Sequence, residues 1–196
     1  MLVWRAMMPD VKHFDPDAVL DSVMGLFWRQ GAASTGIQDI VTTTGLNRSS
    51  LYSTFGGKRE LYLAALRRYV DLRSQPVFAR LAEDDRGLPA VADFFTGLIR
   101  TRCSGEHARW GCMIANAHAN GENDDPDVNA VLLRHHDQLS AALRTALRHE
   151  PKLRVPAARA ADMLAMLAYG VNLRSRAGAD QKTLNATVKA ALSVLV

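Results

Sequence analysis

Residues 35–58 read TGIQDIVTTTGLNRSSLYSTFGGK. The stretch reads as two short helices joined by a tight turn. Ile37, Ile40 and Val41 form one apolar face on the first helix. Gly45 follows, where a left-handed residue ends a helix at no steric cost. Asn47 then caps a second helix running from Arg48 to about Phe55. Leu51 and Phe55 stand four apart and face inward. Arg48, Ser49, Tyr52 and Ser53 are left outward, with Thr54 at their edge. A short outward face of hydroxyls, one arginine and one tyrosine is what a recognition helix offers to DNA.

The flanks fit that centre. Asp15-Pro16-Asp17 is a helix start: a capping Asp, a Pro at the first position and acid in the first turn. Val19, Leu20, Val23, Met24, Phe27 and Trp28 then recur at threes and fours until Gly31. This stripe reads as packing against the two short helices. Lys58 opens a fourth helix with Leu61, Tyr62, Ala65, Leu66, Tyr69, Val70 and Leu72 as inner positions. It is expected to stop at about Ser74, before Pro76.

The segment resembles the DNA-binding domain of the TetR (tetracycline-repressor-like) transcriptional regulators. The resemblance rests on Thr35-x-Ile37-x-Asp39-Ile40, then Gly45-Leu46, Ser50-Leu51-Tyr52-x-x-Phe55 and Lys58-x-x-Leu61, and covers roughly the first third of the chain. Val41 and Thr44 stand where the family commonly has alanine, and Gly57 replaces the usual polar cap before Lys58. The resemblance implies an all-α protein: an N-terminal three-helix helix-turn-helix domain plus a C-terminal helical regulatory and dimerisation domain. It also implies that Thr35, Tyr52 and Lys58 touch the DNA backbone. Tyr52 reads equally well as a packed tyrosine with its hydroxyl at the rim.

Composition agrees without deciding. The 196 residues are 48% hydrophobic and 22% charged, with net charge +4, which suits one or two helical domains. From Ile40 to Tyr69, Arg48, Lys58, Arg59, Arg67 and Arg68 face the single acid Glu60, a local excess of +4. Such a patch is a footprint for phosphate, and also what a solvated helix face looks like. Two cysteines make no disulfide framework. No apolar run reaches the roughly 20 residues of a membrane span. Residues 1–13, MLVWRAMMPDVKH, lack a signal-peptide core and read as a loose arm. The expected compartment is the cytoplasm, with no membrane partner.

Beyond Ser74 the pattern stays helical. Val91, Phe94, Phe95, Leu98 and Ile99 form one stripe, and Trp110 to Ala119 a short apolar helix. A long helix follows from Asp127, through Val131, Leu132, His135, Leu139, Ala142, Leu143, Ala146 and Leu147. Two more run from about Ala157 to Ser175 and Gln181 to Val196. The expected division is 14–57 as DNA reader, 58–75 as linking helix and 76–196 as effector-binding and dimerisation domain.

Arg48 is the candidate for base readout, since a guanidinium matches the two major-groove acceptors of guanine; a phosphate contact is the competing reading. Asn47, Ser49, Ser53 and Thr54 complete the candidate DNA-contacting set. A dimer would place two readers about 34 Å or more apart on a near-palindrome. Cys112, in Gly111-Cys112-Met113-Ile114-Ala115-Asn116, is similar to a Gly-Cys motif of a TetR branch that includes copper- and electrophile-responsive repressors. Arg109, or Arg102 and His107, would favour its thiolate, and Cys103 could resolve it after oxidation; the bland reading is a small buried residue. Trp110, Met113, Asn116, Met163, Met166 and Tyr169 complete the effector candidates, the methionines and aromatics reading also as core. His135 and His136 are adjacent, so both cannot easily serve one ion on a helix, and no metal or cofactor is expected.

No Gly-rich phosphate loop, His-Glu-x-x-His or Gly-x-Ser-x-Gly is present. The sequence therefore reads as a non-enzymatic, homodimeric repressor of a palindromic operator. It would pair through its last two helices and be released by a small molecule or by thiol modification. The alternative is a helical enzyme or metal-binding bundle with an incidental helix-turn-helix pattern.

Overall fold

The computed structural model describes residues 14–196; the expected arm 1–13 lies outside them. Every regular element among the described residues is helical. Helix α1 spans Pro16–Gln30, α2 Ile37–Thr44, α3 Arg48–Phe55 and α4 Lys58–Tyr69. Helices α5 Gln75–Glu83, α6 Leu88–Cys103, α7 Met113–Ala119, α8 Pro126–Leu147, α9 Ala157–Arg176 and α10 Gln181–Ser193 follow.

The local signals act as their chemistry dictates. Asp15 caps α1 by accepting from the Asp17 N–H at 2.9 Å, with Pro16 in the first turn. Gly45 turns left-handed at φ 68° and donates its N–H to the Val41 carbonyl at 2.9 Å, ending α2. Asn47 Oδ1 then accepts from the Ser50 N–H at 2.8 Å and opens α3. Ile40 of α2 and Leu51 of α3 are buried, while Ile37, Val41 and Phe55 pack partly against the same cluster. That cluster joins α1 and α4 and continues into Cys112, Met113 and Ile114 at the start of α7. Helices α1–α4 thus share their core with the Gly-Cys segment.

One element departs from expectation. The chain does not break before Pro76. Helix α4 passes through a π-helical turn, Val70–Ser74, directly into α5, whose first turn holds Pro76. The wider turn accommodates the missing proline N–H without ending the rod. It also shifts the helical face. Leu72, expected inward, is 50% exposed, and Ser74 is buried with its Oγ 3.1 Å from His135 Nε2.

The second cluster fills the space between α5, α6, α8, α9 and α10, with Phe95, Ile99, Leu143 and Leu147 at its centre. Two smaller corrections concern ends. Helix α7 starts at Met113 rather than Trp110, because Arg109 and Gly111 take left-handed φ of 64° and 70°. Helix α8 starts at Pro126, with Asp125 as the cap.

Polar contacts tie the first four helices to the start of α8. Arg59 on α4 reaches Asp125 at 2.6 Å and Asp127 at 2.7 Å at the start of α8. Glu122 accepts from the Tyr62 hydroxyl and, at 3.2 Å, from the Ala32 N–H just beyond α1.

Candidate nucleic-acid interface and thiol cavity

Helix α3 is short, so its position depends on packing rather than on its own stability. Leu51 is its one buried residue, and opposite it Arg48, Ser49, Tyr52 and Ser53 are exposed. Tyr52 is 44% exposed and so is no core tyrosine. Thr54 and Lys58 are half-buried at the rim. Asn47 is committed to capping: Oδ1 accepts from the Ser50 N–H and from Ser49 Oγ at 2.7 Å.

Thr35 is a correction. It is fully buried, and its hydroxyl donates to the Gly31 carbonyl at 2.7 Å, so the side chain braces the α1–α2 connection and presents nothing outward. The basic patch is also smaller than the sequence suggests. Arg59 is engaged by Asp125 and Asp127, and Arg68 by Asp21 at 2.6 Å and Asp17 at 3.3 Å. Arg48, Lys58 and Arg67 have no ion-pair partner among the described residues.

Cys112 stands 5% exposed at the start of α7, at the inner end of a cavity of about 700 Å³ between the π turn, α5 and α6. Gly111 before it needs to be glycine twice over. Its φ is 70°, and a Cβ would meet Asn116 Oδ1 at 2.9 Å and the Asn172 carbonyl at 3.1 Å. Its carbonyl accepts from Trp28 Nε1 at 3.0 Å, which fastens the segment to the last turn of α1. The Trp28 ring is stacked by His107 at 4.8 Å and covered by the Arg102 guanidinium at 5.6 Å.

Burial pushes the Cys112 thiol up. The His135 side chain, then the Arg102 charge and the Tyr69 hydroxyl, outweigh it and bring the thiol from its ordinary 9.0 down to about 6. Arg109, expected beside it, instead acts on Cys103. Cys103 is pushed up, first by burial and then by Asp180, and its Sγ faces the Ala179 carbonyl at 3.9 Å. The two cysteines belong to different clusters, and both thiols are free. This arrangement does not support Cys103 as a resolving partner. Because the thiolate is the nucleophile, Cys112 alkylation by iodoacetamide should reach half its maximal rate near pH 6. Cys103 should still be gaining rate above pH 9. Mass spectrometry of each peptide across pH checks this.

The remaining effector candidates scatter. Met113 is core, and Asn116 is buried, its Nδ2 donating to the Trp110 carbonyl at 2.8 Å. Trp110 sits edge-on to Trp28 at 5.3 Å, outside the cavity. Met163 and Met166 are 43% and 63% exposed on the outer side of α9, so neither lines this cavity. Met166 and Tyr169 instead border a smaller pocket of about 300 Å³ with Leu133, His118 and His136. Among the described residues no group of three or more His, Cys, Asp and Glu side chains could hold a metal ion. No helix among them is long and apolar enough to cross a membrane. Tyr69 and His135 were missed as neighbours of the thiol. His135 sits within the apolar stripe of α8, which was the available signal.

Residues 19–65 match the family described as bacterial regulatory proteins, tetR family. The chain is 30% identical over 138 residues to an uncharacterised HTH-type transcriptional regulator, YezE, of Bacillus subtilis (strain 168), covering 70% of this chain and 69% of the relative. The chain belongs to the TetR family. It is likewise similar to the HTH-type transcriptional repressor ComR of Escherichia coli (strain K12), at 28% identity over 179 residues, 88% of this chain and 85% of that one. Its fold resembles a cysteine mutant of the TetR family regulator CifR solved with 26-base-pair operator DNA. The TM-score is 0.84 at 21% identity, over 96% of this chain and 100% of CifR. Within the TetR family, the α2–turn–α3 unit is the helix-turn-helix, and the protein is a DNA-binding transcriptional regulator.

Proposed function

We propose that the protein is a repressor that binds a near-palindromic operator as a homodimer in the cytoplasm. Residues 14–57 read the DNA, 58–75 link and 76–196 bind the effector and the second copy. The observation that carries the reading is the exposed polar face of α3, set on a single buried anchor. Arg48 reads a base edge; Ser49, Tyr52, Ser53, Thr54 and Lys58 contact phosphates. Thr35 and Asn47 act only through the shape of the reader. The name of ComR, a repressor, supports the sign of regulation, and the operator complex of CifR supports the mode of binding.

Exposed apolar side chains point to the pairing surface. Leu133 on α8 and Met163, Met166 and Leu173 on α9 are 38–63% exposed. Helix α10 adds the small exposed Ala186 and Ala190, and Val194 just past its end. Pairing runs through the last two helices, α9 and α10, with Leu133 of α8 at the border of the patch, as an isologous apolar interface. Release follows when a small molecule enters the cavity or Cys112 is modified, because Gly111 and Trp28 join that site to α1.

Arg48→Ala tests the base-reading role. It should cost about 1–3 kcal/mol on the operator and much less on random DNA. Fluorescence anisotropy with both duplexes measures the difference, and equal losses on the two would remove Arg48 from base readout.

A further inference from the structure

The cavity's charges are unbalanced. Arg73, Arg80, Arg100 and Arg102 line it, and none has an ion-pair partner among the described residues. Of the three acids that line it, Asp84 and Asp93 share Arg86, at 2.6 and 2.9 Å, which offsets one of their two charges. Only Glu106, exposed at the surface, stays unpaired. The four arginines outnumber the acids, and a cleft with a positive excess beside apolar walls concentrates anions.

Arg102 is the only one of the four that is half-buried; the other three are exposed. Its Nε donates to Asn172 Oδ1 at 2.6 Å and one terminal nitrogen to the Tyr69 hydroxyl at 3.2 Å, with the guanidinium plane over Trp28. Those contacts are neutral and fix the fork, leaving the other terminal nitrogen without a hydrogen-bond partner. Next to it the walls are Phe78, Leu81, Phe94 and Leu98. The volume falls in the range that encloses a small organic molecule.

We infer that the cavity takes an apolar monocarboxylate, its carboxylate on Arg102 and its hydrocarbon or aryl body against the α5 and α6 side chains. This rests on the reading of the cavity as the effector site. The ligand's charge meets a pre-oriented guanidinium, the geometry that favours a charge-assisted fork. Arg102 also favours the Cys112 thiolate, so a carboxylate on the same guanidinium opposes it. Carboxylate binding and thiol reactivity are therefore coupled negatively.

Calorimetry on full-length protein carrying Cys103→Ser, with benzoate, naphthoate and biphenylcarboxylate each beside its neutral carboxamide, tests this. At least one acid should bind on the order of tenfold or more tightly than its amide. Arg102→Gln should erase that preference. In the Cys103→Ser parent, the bound acid should slow iodoacetamide modification of Cys112 while the amide leaves it faster, a readout that does not depend on the Arg102 variant folding. Amides equal to acids in all three pairs, or no acid bound at all, overturns the inference. A preference that survives in Arg102→Gln also overturns it. None of these outcomes touches the DNA reader, which is tested by operator binding of the unliganded parent.

Discussion

Leu51→Ala is expected to uncouple the recognition helix. Leu51 is 2% exposed and is the only buried side chain of an eight-residue helix. A helix this short has little stability of its own. The substitution removes three carbons and leaves a gap beneath α3, a change that costs about 2–5 kcal/mol in well-packed sites. The loss falls on the surface that holds Arg48 and Tyr52 outward, so operator affinity should fall by far more than Arg48→Ala lowers it. Urea denaturation and operator titration measure the two effects. Unchanged operator affinity with a full-sized stability loss would mean that α3 is not the reading element.

The second large effect is expected from modifying Cys112. A carbamidomethyl group adds about four heavy atoms beside His135 and Tyr69, where the thiol is 5% exposed. The thiol borders the cavity but is itself buried, so a group that stays against His135 and Tyr69 displaces packed neighbours, at about 1–3 kcal/mol. The neighbour with most to lose is the Gly111 carbonyl, held by Trp28 Nε1 at 3.0 Å. Gly111 cannot yield inward, because Asn116 and the Asn172 carbonyl already crowd it. Strain therefore passes to Trp28 and the end of α1, and the two readers of a dimer lose their spacing. Modified protein carrying Cys103→Ser should lose about tenfold or more in operator affinity, which corresponds to about 1.4 kcal/mol. The doubly substituted protein, with Cys112→Ser as well, should bind the operator and ignore the reagent. Complete modification with unchanged affinity would separate Cys112 from release.

The reader was legible because its signals are local. Asp15-Pro16-Asp17, Gly45 and Asn47 each act within a turn of their own position, and all three do in the structure what their chemistry requires. The π turn was not legible. Pro76 is a stop signal to local reasoning, yet the wider turn before it lets the rod continue, with Ser74 packed against His135. Thr35 failed for a related reason: family position suggested an outward role, while its hydroxyl is spent on Gly31. The thiol site is assembled from α1, α4, α6, α7 and α8; Arg102 was among the neighbours expected for Cys112, but no spacing in the chain records that Tyr69 and His135 join them. Met163 and Met166 share the three-and-four spacing of α9's core residues but fall on its outer side, a distinction that periodicity alone does not make.

The central claim is that α3 reads a specific DNA sequence. The measurement that tests it most directly is binding of the purified protein to a library of random duplexes, with selection and sequencing, followed by titration of the recovered site and a scrambled duplex at two salt concentrations. The account predicts recovery of a near-palindrome whose half-sites lie about 34 Å or more apart. It also predicts a preference over scrambled DNA that persists when salt weakens both. No enriched sequence, together with no DNA binding even at low salt, would contradict it.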